Sequence, residues 1–258
     1  MTGEDASIFT LRLARDARDL RAAQRLRYRV FVEELGASGP MVDHAERLER
    51  DAFDPVFDHL LLIDQRRDPD ALEDVVGAYR LLPSDRLGPG DQFYSEGEFD
   101  LTPLRQSGRK LLELGRSCVH PDHRGGTAMF HLWNGLADYV LERGIEILFG
   151  AASFHGTDIA ALTQSLAYLH HHYLAPEGLR VQARHGCQPM DLLPVSALDR
   201  KAAMAATPPL IKAYLRLGGF VGEGAWIDRA FNTTDVCLVM DTGRMSERHR
   251  GFYTKGRM

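Results

Sequence analysis

The sequence is poor in cysteine, has no long apolar run and carries no excess of basic residues. Its three cysteines, Cys118, Cys187 and Cys237, are odd in number and lack metal-ligand spacing, which argues against a disulfide scaffold or a zinc site. No segment approaches about 18 consecutive apolar residues, and the first residues lack the apolar core of a secretion signal. We therefore expect a cytoplasmic protein without a membrane span.

The balance of charge excludes another class of partner. With 31 basic and 36 acidic residues, the net charge is −5, so we expect no nucleic-acid partner. A chain of 258 residues that is 44% hydrophobic can bury a sizeable core. We expect a single domain over residues 1–242, with an insertion at about 153–207 and a basic tail at 243–258.

Apolar periodicity predicts an alternation of strands and helices. Strands are predicted at 8–14, 57–64, 75–82, 110–119, 145–151 and 235–241, and helices at 16–35, 127–143 and 210–217. Because a helix separates the strands at 110–119 and 145–151, we expect these two strands to be parallel. The alternation is typical of an α/β or α+β fold with a mixed sheet.

The strand at 110–119 carries two charges, Glu113 and Arg116, among its apolar residues. Charged side chains rarely occupy a central strand without a partner or a function. After Pro121 the chain turns and begins a helix at Thr127. A strand that ends in a basic, glycine-containing turn before a helix N-terminus is typical of a site for an anionic group.

Four short motifs in the first half resemble one family of enzymes. They read Arg27-Tyr28-Arg29-Val30-Phe31, Glu49-Arg50-Asp51-Ala52-Phe53-Asp54, Tyr79-Arg80-Leu81-Leu82-Pro83 and Glu113-Leu114-Gly115-Arg116. Their order resembles the acyl carrier protein-dependent members of the Gcn5-related N-acetyltransferase (GNAT) superfamily. These members include the acyl-homoserine lactone synthases and the ornithine-lipid-forming L-ornithine N-α-acyltransferases, which are related to the hemolysin-type acyltransferases.

The second half of the sequence favours the ornithine acyltransferases. Segments 148–156, 208–218 and 227–235 resemble that family, and lactone synthases are usually shorter. The resemblance implies a GNAT-like acyl-CoA N-acyltransferase fold, whose mixed central sheet is splayed between its fourth and fifth strands and flanked by helices. It also implies transfer of a 3-hydroxyacyl group to the α-amino group of ornithine, which would form lyso-ornithine lipid.

The turn after the charged strand departs from the usual GNAT pattern. Thr127 and Met129 stand where that pattern has glycine, and their Cβ atoms hinder close approach by a diphosphate. We therefore expect the donor to be the phosphopantetheine thioester of acyl carrier protein rather than coenzyme A. The residues expected to bind this donor are Val119, Arg124, Gly125, Gly126 and Thr127.

Glu113 is the expected general base, because an ammonium group must lose a proton before it can attack a thioester. The alternative is a buried Glu113–Arg116 pair that only orients the strand, and both roles are compatible. Backbone N–H groups at Cys118 and Val119 are expected to stabilise the oxyanion. Cys118 itself is expected to pack rather than to act as a nucleophile. Tyr214 is either the proton donor to the leaving thiolate or a core residue.

Ornithine carries a carboxylate and a second ammonium group, so its site needs both signs of charge. We expect Asp51 and Asp54 to receive the side-chain ammonium, and Arg27, Arg29 or Arg80 to hold the carboxylate. The alternative is a solvated acidic loop beside a surface stripe of arginines. Spacing alone favours that alternative, whereas the joint family resemblance favours the substrate site.

No tightly bound cofactor and no metal are expected. Consecutive histidines on a helix, such as His170 to His172, point about 100° apart and do not converge on one ion. The expected partners are acyl carrier protein and ornithine, with weak peripheral contact with the cytoplasmic face of the inner membrane. The open alternatives are a lactone synthase-like enzyme that uses S-adenosylmethionine, a non-catalytic binder of acyl carrier protein, and another acceptor such as lysine, glutamine or glycine.

Overall fold

The structure is a computed structural model that describes residues 8–244. The predicted basic tail falls outside the described residues from residue 245 onward. Within residues 8–244 the chain forms two compact units that alternate along the sequence. The first unit comprises residues up to 82 together with 114–144, and the second comprises 83–113 together with residues from 145 onward.

Residues 8–244 form twelve strands and six α-helices, numbered here in chain order. The strands are β1 (Phe9–Leu13), β2 (Val42–Asp43), β3 (Leu48–Glu49), β4 (Asp58–Asp64), β5 (Val75–Pro83), β6 (Phe99–Asp100), β7 (Leu111–Val119), β8 (Ile147–His155), β9 (Gln182–Ala183), β10 (Phe220–Val221), β11 (Trp226–Asp228) and β12 (Thr233–Asp241). The helices are α1 (Ala17–Arg27), α2 (Thr102–Gln106), α3 (Ala128–Arg143), α4 (Ile159–Tyr173), α5 (Arg200–Ala206) and α6 (Pro209–Arg216).

In the first unit, the sheet has the order β1-β4-β5-β7, and β1, β4 and β5 pair antiparallel. Only the part of β7 from Leu114 onward belongs to this unit. The N-cap of α1 is Asp16, whose side chain accepts a hydrogen bond from the N–H of Asp19. The inner face of α1 contributes Ala22, Ala23 and Leu26 to a core cluster that includes residues of β4 and β5. Apolar periodicity predicted these elements because burial on one face dictates their patterns.

The helix predicted at 16–35 changes its hydrogen-bond pattern after Arg27. Residues Tyr28–Glu34 form a π-helix, which starts where α1 ends. A π-helix is rare and is frequently found at functional sites. Apolar spacing did not reveal it, because the inward-facing residues continue through the change.

Helix α3 lies against β1 and β4 at very short range. A Cβ atom on Gly135 would come within 2.5 Å of Leu11 Cδ2, so a larger residue would require the Leu11 side chain to move. The helix ends at Gly144, which adopts the left-handed conformation with φ of 61°. The predicted bounds, 127–143, agree with the structure within one residue.

In the second unit, the sheet has the order β7-β8-β12-β10, and β11 also pairs with β12. Strands β7 and β8 are parallel, as predicted, and their ladder consists of three pairs that end at Glu113–Phe149. Strand β8 continues to His155, so the predicted end at residue 151 is four residues too early. The continuation is stabilised by a nine-pair antiparallel ladder with β12, a long-range partner that a local pattern does not reveal.

Two connecting regions contain further short elements. The segment 36–54 includes β2 and β3, which pair antiparallel, and the segment 84–108 includes β6 and α2. Their two-residue strands are too short to produce a recognisable alternation of apolar and polar residues.

Candidate active site

Six charged side chains form a network within the first unit. Arg27 lies at its centre and donates hydrogen bonds to both Glu49 and Asp54. The side chains of these three residues are at most 2% exposed. Helix α1, strand β3 and the loop before β4 bring them together. Burial of these charges is tolerable because each one meets an opposite charge and a hydrogen-bond partner.

Arg80 on β5 and Arg116 on β7 complete the network. Arg80 Nη1 lies 2.7 Å from Asp51 Oδ1 and 3.0 Å from Asp54 Oδ1. Arg116 lies 3.3 Å from Glu49 Oε1 and 3.4 Å from Asp51 Oδ2. The network therefore contains three arginines and three carboxylates, and its formal charge is balanced.

The charges in the network fix the ionisation of its acids. Burial alone would raise the pKa of Asp51, but the charges of Arg80 and Arg116 outweigh burial and hold the pKa below its ordinary value. Burial is opposed at Asp54 by the charge and hydrogen bond of Arg27 and by the charge of Arg80, which lower the pKa strongly. Both acids are therefore carboxylates at neutral pH.

Two members of the network lie nearer to solvent than the rest. The side chains of Asp51 and Arg116 are 13% and 11% exposed, whereas those of Arg27, Glu49, Asp54 and Arg80 are at most 2% exposed. This pair offers one carboxylate and one guanidinium group at the edge of the network. Such a pair can contact the ammonium and carboxylate groups of an amino acid.

The backbone of β7 is irregular at Arg116. This residue has φ of 50°, a left-handed conformation that is uncommon for a non-glycine residue. Residues 115–117 are half-buried, whereas residues 111–114 and 118–119 are buried. Backbone conformations of this kind cluster at active sites, where the surrounding structure holds them in place.

Arg29 contacts His120 and Glu73 rather than the acids of the charged network. Arg29 belongs to the π-helix and donates a hydrogen bond to Nε2 of His120, and it lies 3.5 Å from Glu73. Burial and the nearby charges of Arg67 and Arg29 lower the pKa of His120 to about 4. His120 is therefore neutral at neutral pH.

The turn expected to bind the acyl donor has an open helix N-terminus. Arg124 donates from Nε to the carbonyl of Val119 over 3.0 Å and forms a two-point ion pair with Glu34. Gly125 has φ of 75°, and no side chain caps α3 at Thr127. The first N–H groups of a helix lack intrahelical partners and carry partial positive charge, so this terminus can bind a phosphate group.

The thiol of Cys118 is not poised for nucleophilic attack. The residue is 4% exposed, and burial raises the pKa of its thiol to about 12. A thiol must lose its proton to become nucleophilic, so Cys118 remains inert at neutral pH. This agrees with the expectation that it packs in the core.

Glu113 lies in the second unit and is 1% exposed. Its Oε1 accepts hydrogen bonds from the N–H and hydroxyl groups of Ser95, at 2.6 and 2.5 Å, and its Oε2 accepts one from the N–H of Tyr94 at 2.9 Å. These donors come from the start of a short 3₁₀ helix, Tyr94–Gly97. They hold the carboxylate in one orientation and stabilise its ionised form.

Tyr214 and the histidine tract also lie in the second unit. Tyr214 is 5% exposed on α6. In the tract at the end of α4, His171 contacts the carbonyl of Leu193 over 2.9 Å. Among residues 8–244, one group of three acids could hold a cation, and it consists of Glu98, Asp228 and Asp235 rather than the histidines.

Sequence reasoning missed several residues that shape these sites. Glu49 belongs to a recognised motif but was assigned no role, although it binds two arginines. Gln24 donates to Asp54 over 2.8 Å, and the polar side chain on an inward position of α1 was an available signal. Ser95 had no signal, because its segment has no periodic pattern.

The chain matches known acyltransferases along nearly its whole length. Residues 26–134 match the acetyltransferase (GNAT) domain family. The L-ornithine N(alpha)-acyltransferase of Rhodobacter capsulatus is 68% identical over 247 residues, which cover 96% of this chain and 95% of that protein. The protein of the same name from Brucella abortus is 41% identical, with 94% of this chain and 88% of that protein covered.

Solved structures share the fold at low sequence identity. FeeM, an N-acyl amino acid synthase from uncultured soil microbes, has a TM-score of 0.53 and 13% identity, with 94% of this chain and 97% of that chain covered. The acyl-homoserine lactone synthase BjaI has a TM-score of 0.53 and 15% identity, with 96% and 88% covered.

Fold and matched domain define a GNAT-type acyltransferase, as the motifs predicted. Within that class, the extent and identity of the matches show that the chain belongs to the L-ornithine N(alpha)-acyltransferase family. Among the residues that the structure describes, no helix is both long and apolar enough to cross a bilayer.

Proposed function

We propose that the protein transfers a 3-hydroxyacyl group from the phosphopantetheine thioester of acyl carrier protein to the α-amino group of L-ornithine. The product is lyso-ornithine lipid, the first intermediate of ornithine lipid biosynthesis. The observation that carries this proposal is the 68% identity with an L-ornithine N(alpha)-acyltransferase over 96% of the chain. The GNAT domain match supports direct transfer to an amine.

In the proposed reaction, Glu113 takes a proton from the α-ammonium group, directly or through one water molecule. The α-ammonium group has a pKa of about 8, so its deprotonation by a carboxylate near neutral pH has a modest free-energy cost. The amine nitrogen then attacks the thioester carbon. Backbone N–H groups at Cys118 and Val119 stabilise the oxyanion, and the C–S bond breaks as Tyr214 gives a proton to the thiolate. The second proton of the attacking nitrogen then passes to the Tyr214 oxygen, which leaves a neutral amide and restores the phenol.

The charged network in the first unit supplies the proposed contacts to the amino acid. Arg27, Arg80 and Asp54 are engaged with one another and hold the network in place. Arg116, which Asp51 contacts at the more exposed edge of the network, binds the carboxylate of the acceptor. Arg29 is a further candidate to bind the carboxylate of the acceptor, which would replace Glu73 as its ion-pair partner.

The turn at Arg124 is proposed to bind the single phosphodiester of phosphopantetheine. The N–H donors come from Gly125, Gly126 and the N-terminus of α3 at Thr127. Arg124 adds a positive charge once its ion pair with Glu34 opens. The Cβ atoms of Thr127 and Met129 disfavour the larger diphosphate of coenzyme A. The apolar product is expected to bring the protein into weak peripheral contact with the membrane.

Reconstitution tests the proposal. Purified protein is incubated with 3-hydroxyacyl carrier protein and ornithine, and products are measured as released carrier thiol and by mass spectrometry. We expect lyso-ornithine lipid, with kcat/KM at least tenfold lower for the matching acyl-coenzyme A. Thiol release with S-adenosylmethionine but not with ornithine would instead assign a lactone synthase. Carrier binding without turnover on any amine would assign a non-catalytic binder.

A further inference from the structure

Three acids in the second unit converge on one point. Carboxylate oxygens of Glu98, Asp228 and Asp235 all lie within 4.8 Å of one another. Glu98 and Asp235 are buried, and Asp228 is half-buried at the end of β11. Ionised carboxylates at this range repel one another, and the repulsion falls when a cation joins them.

The buried residue Thr233 lies on the same face of the sheet as two of these acids. Thr233 is 8% exposed, and its Oγ1 has no hydrogen-bond partner among residues 8–244. Thr233 is directly opposite Asp228 in the β11–β12 ladder and two residues before Asp235 on β12, so the three side chains share one face of the sheet. A buried hydroxyl without a partner is costly, and a bound donor beside the acids would satisfy it.

The same face of this sheet carries Glu113. Glu113 pairs with Phe149, which pairs with Val239, and Val239 lies four residues after Asp235 on β12. Four residues along one strand and two strand spacings across place the Cα atoms of Glu113 and Asp235 roughly 16 Å apart. The two acid side chains and an extended diamino acid between them can bridge this distance.

One short segment connects the expected base with the acids. Phe93 packs edge-on against Phe149, with 5.0 Å between ring centroids. Ser95 binds the carboxylate of Glu113, and the N–H of Glu98 donates to the carbonyl of Ser95 over 3.1 Å. The segment 93–98 therefore places Glu98 one turn after Ser95, the residue that binds the Glu113 carboxylate.

We propose that Glu98, Asp228 and Asp235 bind the side-chain ammonium of the acceptor amino acid while its α-amine lies at Glu113. An ammonium group has three N–H donors, which matches one hydrogen bond to each carboxylate. The acids of the first unit have less capacity for this task, because arginines already contact Asp51 and Asp54. This inference rests on the proposed function and deepens it, because it explains the choice of a diamino acid.

The test compares ornithine with norvaline, which has the same carbon chain without the terminal amine. In Glu98→Gln and Asp235→Asn, we expect kcat/KM for ornithine to fall about tenfold to a hundredfold through KM, since each variant loses a charged hydrogen bond. For norvaline, kcat/KM should stay within about twofold of the wild-type value. Asp191→Asn, which changes an exposed acid of the same unit, should leave both substrates unaffected.

Thr233→Val keeps the shape of the side chain and tests the same site with a second kind of variant. Its result remains informative if the acid variants do not fold. We expect its KM for ornithine to rise about threefold, with kcat and the norvaline values unchanged. An unchanged KM for ornithine in every variant, or an equal loss for ornithine and norvaline, would overturn the proposal.

A metal site would also overturn it. In that case, calorimetry would show Ca²⁺ or Mn²⁺ binding to the wild-type protein but not to Asp235→Asn, and chelation would reduce turnover of both amino acids equally. Failure of the proposed function is a separate outcome, because the wild-type protein would then acylate no amino acid at all.

Discussion

The first unit pairs buried acids with arginines, whereas the second unit brings three acids close to one another. In the first, Arg27, Arg80 and Arg116 meet Glu49, Asp51 and Asp54 in equal number. In the second, Glu98, Asp228 and Asp235 meet one another, and Glu113 receives donors from Tyr94 and Ser95. Removal of one partner from a balanced network leaves an uncompensated buried charge, whereas carboxylates brought together repel one another and favour a cationic partner.

Removing one charge from the balanced network should produce the largest effect on stability. In Arg27→Leu, the carboxylates of Glu49 and Asp54 lose their central partner within the protein. We expect the free energy of unfolding to fall by about 3 to 5 kcal/mol, measured by urea denaturation. Arg21→Leu is the matched control, because Arg21 forms an exposed pair with Glu46 and should cost about 0 to 1 kcal/mol. Equal losses in the two variants would show that the buried network contributes no more than a surface pair.

The pH dependence of stability should separate His120 from the network acids. The pKa of His120 is about 4 in the folded protein, below its ordinary value of 6.5, so the unfolded chain binds the extra proton between these values. The contribution of His120 to stability is therefore fully present above pH 6.5. The free energy of unfolding falls by about 2 to 3 kcal/mol as the pH falls toward 4. Asp51 and Asp54, whose pKa values are lowered, keep their contribution until the pH falls below about 4.

Urea midpoints at pH 7, 5.5 and 4.5 measure this slope. In His120→Gln, we expect the loss between pH 6.5 and 4 to become smaller and to keep only the part due to His59, whose pKa burial also lowers. The steep loss below about pH 4 remains because the network acids are intact. A wild-type slope that persists in His120→Gln would assign the effect to another group.

The thiols should show the smallest effect on turnover. Burial raises the pKa values of Cys118 and Cys237, whereas Cys187 is half-buried. We expect an alkylating reagent at pH 8 to modify one thiol, Cys187, at least about 100-fold faster than the other two. Cys118→Ala should retain turnover within about threefold, measured by thiol release. A larger loss of turnover, without a loss of folded protein, would indicate covalent catalysis by Cys118.

The order of secondary structure could be predicted because each element buries one apolar face. Strand β7 and helix α3 agree with the sequence prediction within one residue at each end. Neighbouring sequence does not determine which distant strand pairs with which. The extension of β8 to His155 depends on β12, about 80 residues later, and so it was missed.

The candidate site was predictable in its residues but not in its contacts. The motifs identified Arg27, Asp54 and Arg80, yet nothing local indicated that they are buried and joined to one another. Burial of an arginine depends on long-range pairing, which one sequence does not reveal. The acids of the second unit were missed for the same reason, because β11, β12 and the segment before β6 meet only in the folded chain.

The most direct test of the account is the single-turnover rate of Glu113→Gln with 3-hydroxyacyl carrier protein and saturating ornithine. Glutamine keeps the size of the side chain but cannot take a proton. We expect the rate to fall by about 10² to 10⁴, with carrier binding unchanged. A rate within threefold of the wild type, in a folded variant that binds the carrier, would contradict the role of Glu113 as the base.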